Sequence, residues 1–529
     1  MSINLTAEQI VKRYEKAKAK KVREDNYCRE VLEYALPHRN RYDNYGDEGK
    51  RDNALQVFDS TAARGTIQCV SNIQSSVIPA QQEWGDLVPG TEIEAEKRIE
   101  MAQQLSEVQK TMYAAVHASN FDVQAPEMLT DVIVGTGVMI VDHGDRPGDI
   151  SNTTVPINEV VLEQGAHGKI DTFWRERKLC ARLIKEEWSD AELDVETKAK
   201  AEDKEKDSDI TLVEGSYSKA NQVGTKEVPR IERTFVYVVV DKKSKKILVE
   251  RESDSSAWIA CRWLVLPGDT YGYGPLKIAH ADTKTLNKVK EYILKNANML
   301  ITGAWTVVDD GVIDVNKIEI EPGALITVQS NPGSPVGATI APLKAGGDIQ
   351  VAEIIIADLV KAIEAMLFAN PLGDVDLPVK SPTEIVARQQ ILAKTIGSAF
   401  SRLFYEFVIP YINRVLWLLN DDGKIDIQKF KVDNQFIGIK FKSPLAQAQD
   451  QDAVNALVSY MQTIATMFPQ LAPVLVKPLQ YCKILAEKMK VDVNILPTDS
   501  EFKQAVAQIT QAAAAAQQTA QNGQPASTG

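Results

Sequence analysis

The chain of 529 residues is long enough for several domains, and its composition, 44% hydrophobic and 25% charged, is that of an ordinary folded protein. The 60 Lys and Arg residues against 72 Asp and Glu residues give a formal net charge of −12 at pH 7. This balance argues against tight binding of nucleic acid through its phosphates, although not against a surface along which nucleic acid slides. The five scattered cysteines contain no CxxC pair, which argues against a disulfide framework or a zinc site and indicates reduced thiols in a cytosol.

Neither a signal peptide nor a membrane span is indicated. The N-terminus is polar and has a helical pattern, unlike a secretory signal. The most apolar stretch, residues 396–419, is interrupted by Arg402, Glu406 and Arg414. A membrane-spanning helix needs a longer uninterrupted apolar run. We therefore expect this stretch to be a buried helix.

The N-terminal half alternates between helical and strand-like patterns. Helices are predicted over 6–36, over 59–77 with the capping sequence Asp-Ser-Thr at its start, and over 94–119. Over 131–178 the hydrophobic period shifts toward two, which predicts strands joined by glycine turns. The densely charged stretch 183–207 has a helical pattern and is interpreted as a surface helix or a flexible insertion. Further strands are predicted over 209–213, 230–240, 246–251 and 257–265.

The C-terminal half starts with the turn Tyr-Gly-Tyr-Gly-Pro at 271–275, and a helix is predicted over 279–301. Short strands and turns follow over 306–342. Two later regions are predicted to hold short strands and then helices, over 425–442 and 443–490. From Gln508 the sequence is rich in Ala, Gln and Thr, which is typical of a weak helix fraying into disorder.

Residues 348–419 combine a long amphipathic helix, a loop and a sharply capped second helix. In the first helix, spacings of three and four place apolar residues on one stripe and charged residues on another face. The stripe holds Val351, Ile355, Leu359, Ile363 and Met366, and the charged face holds Glu353, Lys361 and Glu364. Pro and Gly interrupt the chain over 370–380, and Ser381, Pro382 and Glu384 provide the start signals of the second helix. The spacing alone allows a helical hairpin in an ordinary core or two rods with a projecting loop.

Sequence motifs of catalysis are missing. The nearest match to a phosphate-binding loop, at 46–51, is too short and lacks a Ser or Thr after its Lys, and the Gly-Thr-Gly at 135–137 lacks a third glycine. The five histidines are far apart in the sequence. We therefore expect no catalytic residue, no cofactor and no metal site. Four lysines of the helix at 279–301 are either an ordinary solvated face or a stripe beside DNA: Lys284, Lys288, Lys290 and Lys295.

Several phrases, in this order along the chain, resemble the head-to-tail connector, or portal protein, of short-tailed phages related to T7. They are FDSTAARGTIQCVSNIQSSVIPAQQEW, YGYGPLKIAHADTKTLNKVKE, SPTEIVARQQ, KSPLAQAQ and the Ala- and Gln-rich tail. The resemblance runs nearly from end to end. The order and spacing of the phrases are more specific than any one phrase.

The resemblance implies a helix-rich α+β portal fold with named parts. A wing would comprise 1–280 and 381–442, with two stem helices at 281–302 and 348–368. The remaining parts would be a clip at 303–347, a tunnel loop at 369–380, a crown at 443–507 and a tail at 508–529. The charged stretch 185–208 has no clear counterpart in the family.

The resemblance also implies a function without catalysis. Such proteins form a closed ring of about twelve subunits at one capsid vertex, around a channel for packaging and ejecting double-stranded DNA. The implied partners are terminase, which hydrolyses ATP, then tail adaptor and tail tube proteins, together with the major capsid, scaffolding and internal core proteins. The protein would be made in the host bacterial cytoplasm and reside in the virion. The alternatives are another phage structural protein, such as a tail adaptor or minor capsid protein, and a soluble enzyme of unrecognised family.

Site residues follow from this layout and from charge. A channel lined by carboxylates repels the phosphates of a duplex from every side and leaves no deep binding well. The tunnel-loop candidates are Asn370, Asp374, Asp376 and Lys380, and the candidates for the channel face of the stem are Glu353, Lys361 and Glu364. The candidates for the clip, which would meet the motor and later the tail, are Asp309, Asp310, Lys317, Glu319 and Lys344. The loop is acidic with one lysine at its edge, which argues against a basic valve that grips DNA.

Overall fold

In the computed structural model the chain divides into two compact units, Met1–Val379 with Lys394–Lys440, and Lys380–Ala393 with Phe441–Gly529. Residues 198, 481 and 485 are described singly. The other described residues are 5–40, 57–89, 95–165, 168–193, 209–223, 230–302, 305–307, 340–342, 349–369, 401–426, 438–441 and 444–467.

The first unit begins with helices close to those predicted. Helix α1 (Ala7–Ala35) starts behind Thr6, whose side chain accepts a hydrogen bond from the Gln9 backbone in a reciprocal capping box. Helices α2 (Thr61–Val77) and α3 (Ala95–Ala118) follow. Their positions confirm the sequence-based prediction to within about two residues, which is the usual spread for helix ends.

Helix α4 (Phe121–Val134) was not predicted, and the strand expected from Asp131 onward begins later, at Thr136. The run Val132-Ile133-Val134 looks like a strand because its residues are β-branched. In the structure these residues continue a helix whose Met128 and Leu129 are also buried. Burial of all four residues of the last turn of α4, Asp131–Val134, therefore outweighs the local preference.

The β-strands form antiparallel sheets. The order β3-β2-β9 makes one three-stranded sheet and the order β4-β5-β6-β7-β8 makes a five-stranded sheet, in which each strand pairs with the next along the chain. A short strand, β1, pairs with β12. These strands are β1 Gly85–Val88, β2 Thr136–His143, β3 Ile150–Val155, β4 Val160–Gln164, β5 Ile170–Cys180, β6 Asp209–Val223, β7 Arg230–Asp241, β8 Lys246–Ser253, β9 Trp258–Arg262 and β12 Gly438–Phe441.

The five-stranded sheet buries both of its faces. One face packs Trp174, Val236 and Val238 against Ile10 and Tyr14 of α1. The other face packs Leu212, Val239 and Leu248 against Ile184 of helix α5 and against Trp188. Because helices and antiparallel sheets share one core, the α+β class is confirmed.

The helix predicted over 183–207 is shorter than expected. Helix α5 (Ala181–Glu187) ends at its C-cap Trp188, which is buried, and residues 188–193 are not helical. Packing of this tryptophan into the core takes the chain out of the helix, although the charged pattern would have continued it. Most of the remainder of that prediction falls outside the described residues.

The rest of the first unit begins with the short helix α6 (Pro275–Ile278) and the long helix α7 (His280–Thr302). Strands β10 (Trp305–Val307) and β11 (Ile340–Pro342) precede helix α8 (Ile349–Met366). A π-helical turn, Phe404–Val408, leads into α9 (Ile409–Asp421). Helix α10 (Pro444–Met467) belongs to the second unit. None of the described helices is both long and apolar enough to cross a bilayer.

Candidate functional site: a helical hairpin anchored at helix α2

Helices α7 and α8, with strands β10 and β11, form the element that we call the hairpin. The two helices pack against each other. The strands pair in antiparallel fashion, with Trp305 opposite Pro342 and Val307 opposite Ile340. The hairpin therefore consists of two rods that lead into a common β ladder, as the residue pattern on either side of 306–342 predicted.

The start of α2 is attached to the middle of α7. The Asp59 carboxylate accepts a hydrogen bond from the Thr61 backbone N–H at 2.8 Å and forms an ion pair with Lys290 Nζ. Next to it, the Phe58 backbone N–H donates to Asn287 Oδ1 at 2.7 Å. The Asp-Ser-Thr phrase thus works as a helix start as predicted, but Asp59 supplies the side-chain acceptor and Ser60 makes no capping bond.

The same helix, α2, also holds the C-terminal end of α8. Arg64 Nη2 lies 2.9 Å from Glu364 Oε1, and Asn72 Nδ2 donates to the Phe368 carbonyl at 3.0 Å. Between these contacts Gly65 allows close packing, because a Cβ there would lie 2.8 Å from Leu367 Cδ1. The segment Phe58-Asp59 before α2 therefore contacts one rod of the hairpin, and α2 itself contacts the other.

The predicted apolar stripe of α8 is buried at one end only. Ile363 is fully buried, as is its neighbour Leu367 in the turn after the helix, whereas Val351 and Ile355 of the stripe are exposed. Ile354, outside the stripe, is 64% exposed. The helix thus leaves apolar side chains uncovered along its N-terminal half. This arrangement differs from that of a helix inside an ordinary core.

The predicted channel residues of α8 lie in different surroundings. Glu353 and Lys361 are exposed, while the Glu364 side chain is only 19% exposed and is neutralised by Arg64. Their assignment to a channel face stays a prediction. The remaining predicted site residues lie outside the described part of the chain: Asn370, Asp374, Asp376, Lys380, Asp309, Asp310, Lys317, Glu319 and Lys344.

All four lysines singled out on α7 pair with carboxylates. Lys284 binds Glu30 of α1 at 2.5 Å, and Lys290 binds Asp59. Lys288 and Lys295 share Glu291 of the same helix, at 2.7 and 2.6 Å. The hydrogen bond from Lys284 holds the pKa of Glu30 below its usual value. Two of these lysines therefore attach α7 to the body, and two belong to a solvated face.

The two glycine motifs of the sequence meet each other in space. A Cβ on Gly135 would lie 2.3 Å from the Gly272 carbonyl oxygen, and a Cβ on Gly272 would lie 2.1 Å from the Gly135 oxygen. The Gly272 and Gly274 backbone N–H groups donate to Thr136 Oγ1 at 2.8 Å and to the Val134 carbonyl at 3.2 Å. The glycines allow the two backbones to pack directly against each other, just before the helices that lead into the hairpin. This agrees with the interpretation of Gly272–Gly274 as a turn.

Charged residues within the predicted buried helix at 396–419 find partners. Glu406 receives two bonds from the Arg262 side chain, the shorter at 2.7 Å, and one from Arg402 at 3.1 Å. Arg414 is buried and donates to the carbonyls of Val141 and Ser255. Over its described residues, this stretch is a buried helix as predicted, and its charges join it to strands β2 and β9.

The sequence of this chain matches a known protein family over most of its length. Residues 7–496 match the model of a family described as bacteriophage head to tail connecting protein. The match spans the hairpin, α2 and both sheets, and it identifies a structural component of a phage particle. The chain belongs to the bacteriophage head-to-tail connecting protein family. A comparison with curated proteins returned no match.

Membership of this family confirms the predicted portal-type role at the junction of head and tail. The family is structural rather than enzymatic, and its members are virion components that act as oligomeric assemblies.

Sequence reasoning missed Arg64 and Asn72 because no local motif marks them. Their position on the same phrase as Asp59 was the only available signal.

Proposed function

We propose that copies of this chain close into a ring of about twelve subunits at one capsid vertex, consistent with the closed symmetry of most protein oligomers. The ring surrounds a channel through which duplex DNA enters during packaging and leaves during ejection. Terminase docks on it first and the tail adaptor and tail tube proteins dock later. Major capsid, scaffolding and internal core proteins contact the same assembly inside the head.

The observation that carries this proposal is the uncovered apolar surface of the hairpin. Tyr292 and Leu294 on α7 are exposed, and so are Val351, Ile354 and Ile355 on α8. Single exposed apolar residues are common, but several on one element are typical of an interface. Burial of one such side chain stabilises an assembly by about 1.5–3 kcal/mol.

Ring closure by head-to-tail contacts requires two different surfaces on each subunit. The hairpin offers two, because its exposed apolar residues lie on two separate helices. In the proposed ring, one rod of each hairpin contacts the other rod of its neighbour. Side-by-side hairpins then enclose the channel.

The proposed channel guides DNA by repulsion. Duplex DNA carries one negative charge per about 1.7 Å of its axis. The exposed carboxylate Glu353 of α8, in a chain of net charge −12, would repel it without creating a deep well, and Lys361 would supply a transient contact. Translocation along such a wall meets little friction. Energy for packaging comes from ATP hydrolysis by terminase.

The experiment compares two substitutions of equally exposed residues. Ile354 and Val123 are each 64% exposed, but Val123 lies on α4, outside the hairpin. Ile354→Asp is expected to shift the purified protein from rings to monomers, because assembly would bury a charge. Val123→Asp is expected to leave rings intact. Light scattering after size exclusion and negative-stain microscopy measure the outcome, and circular dichroism verifies that both variants fold.

Two results would contradict the proposal. One is a wild-type protein that stays monomeric at every concentration and salt condition tested. The other is a folded Ile354→Asp variant that forms rings as readily as the wild type. The second result would leave ring formation standing but would remove the hairpin from the interface.

A further inference from the structure

A groove of about 1140 Å³ runs along one side of α1. Its first wall is the helix face that carries Lys16, Lys20 and Arg23. Its opposite wall is the end of β4 together with residues 266–273. Spacings of four and three place the three cations in one row, which spans about 10 Å at about 1.5 Å per residue.

The cations of this row are exposed, and none has a partner within the part of the chain that the structure describes. Within the helix, no carboxylate lies three or four residues from Lys16 or from Arg23, and Glu24, four residues after Lys20, is paired with Lys277. Lys16 and Lys20 are instead like charges four residues apart, an arrangement that destabilises a helix slightly. On α7, in contrast, Lys288 and Lys295 are both paired with Glu291.

The carboxylates near the row are already occupied. Glu163 binds Arg13 Nε at 3.1 Å, and Glu24 is paired with Lys277. Asp269, on the opposite wall, is exposed. Because Glu163 and Glu24 are already paired, Asp269 is the single carboxylate of the groove lining that remains opposite the three cations. The groove is therefore cationic, although the net charge of the protein is strongly negative.

The rest of the groove is suited to a polypeptide. Leu266 on the opposite rim is 59% exposed and offers an apolar contact. The tyrosines of the floor are less suited to stacking on nucleobases, because Tyr27 and Tyr273 stack on each other and Lys277 lies over both rings. Base stacking needs a free aromatic face.

We infer that this groove binds an extended acidic peptide segment of another polypeptide. Carboxylates of the segment pair with Lys16, Lys20 and Arg23, while its apolar side chains contact Leu266. A nucleic acid strand is disfavoured, because the rings of Tyr27 and Tyr273 leave no free face for base stacking. The site lies on α1 and β4, apart from the hairpin, so it does not depend on the proposed ring interface.

The test uses the full-length protein and a short fluorescein-labelled peptide of alternating Glu and Leu, followed by fluorescence anisotropy. The triple variant Lys16→Gln, Lys20→Gln and Arg23→Gln removes the row while keeping good helix formers. Loss of three exposed ion pairs is expected to weaken binding about tenfold or more. The matched control, Lys288→Gln with Lys295→Gln, removes two exposed cations of α7 and should bind like the wild type.

Added salt is expected to weaken binding by the wild type and to affect the triple variant less, because salt screens the exposed pairs. A single-stranded oligonucleotide of similar length serves as the competing ligand. The inference is overturned if the wild type does not bind the peptide, if the folded triple variant binds it as well as the wild type, or if the oligonucleotide binds more tightly than the peptide.

Discussion

Asp59 and Lys290 form an ion pair that joins the residue before the N-cap of α2 to the middle of α7. The Asp59 side chain is 2% exposed, whereas Lys290 retains access to water. The same carboxylate accepts the Thr61 backbone N–H, so one side chain both starts a helix and attaches the hairpin to it. This double role gives a physical reason for an aspartate at this position.

Replacing Asp59 is expected to destabilise the protein through the loss of two interactions, the cap hydrogen bond and the ion pair, which two substitutions can separate. Asp59→Ala removes the cap and the ion pair and should lower the free energy of unfolding by about 1–3 kcal/mol. Asp59→Asn keeps a cap acceptor and should recover part of this loss. Chemical denaturation measures both variants. Lys288→Ala, which breaks an exposed pair on α7, should change stability by less than about 1 kcal/mol and serves as the control.

Glu176 is expected to make stability depend on pH in the acidic range. Burial raises the pKa of this carboxyl, but hydrogen bonds from Lys18, Lys242 and Tyr14 outweigh burial and lower the pKa to about 2. The unfolded chain has the ordinary value of 4.5. The stabilisation is therefore complete above pH 4.5 and is lost as the pH falls through the folded value near 2.

After allowance for solvent screening, this loss should be about 1–2 kcal/mol. Thermal melts between these pH values measure it, and Glu176→Gln should flatten the dependence. Glu252→Gln, which removes an exposed carboxylate paired with Lys219, should keep the wild-type slope. Equal slopes in all three proteins would show that the contacts of Glu176 do not stabilise the fold.

Gly272→Ala is expected to destabilise the packing between the two glycine motifs. The added methyl group would meet the Gly135 carbonyl oxygen at 2.1 Å, and backbone cannot move aside as a flexible side chain can. We expect a loss of about 2–3 kcal/mol, as for other overpacked sites. Gly268→Ala is the comparison, since Gly268 has φ +96° but open space around its Cβ position. Strain of the backbone alone should cost about 1 kcal/mol there.

Removing the loop residues Asn370–Val379 should separate assembly from DNA handling. The resemblance to portal proteins implies that this segment would form the constriction of the channel rather than part of a subunit contact. Rings should therefore form, as judged by electron microscopy, while packaging or retention of DNA in an in vitro assay falls. Failure of the shortened protein to assemble would assign the loop a structural role instead.

Local patterns predicted many helices and strands but not the contacts that hold them together. Capping residues and apolar spacing placed α1, α2, α7 and α8, because these signals act within a few residues of the helix. Helix α4 was missed, since Pro126 and the β-branched run at 132–134 oppose a helix that tertiary burial nevertheless imposes. The Arg64–Glu364 pair joins residues 300 positions apart, and nothing local marks it.

In the candidate site, too, local patterns predicted the helices but not the contacts of their side chains. Spacing correctly placed Glu353, Lys361 and Glu364 on a helix, yet it could not show that Glu364 is paired with Arg64. Lys284 and Lys290 were candidates for a surface stripe, and only the fold shows that they bind carboxylates of α1 and of the segment before α2. Which side chains face a channel depends on neighbouring subunits and stays a prediction.

The attachment of both hairpin rods to α2 and to the residue before its N-cap has a mechanical consequence. Thrust along α7 reaches the start of α2 through Asp59, and thrust along α8 enters α2 at Arg64, little more than one helical turn further along. Helix α2 in turn rests on α4, which packs on the three-stranded sheet. A load on either rod is thus shared with the other and passed into the folded body, so the connecting segments need not bear it.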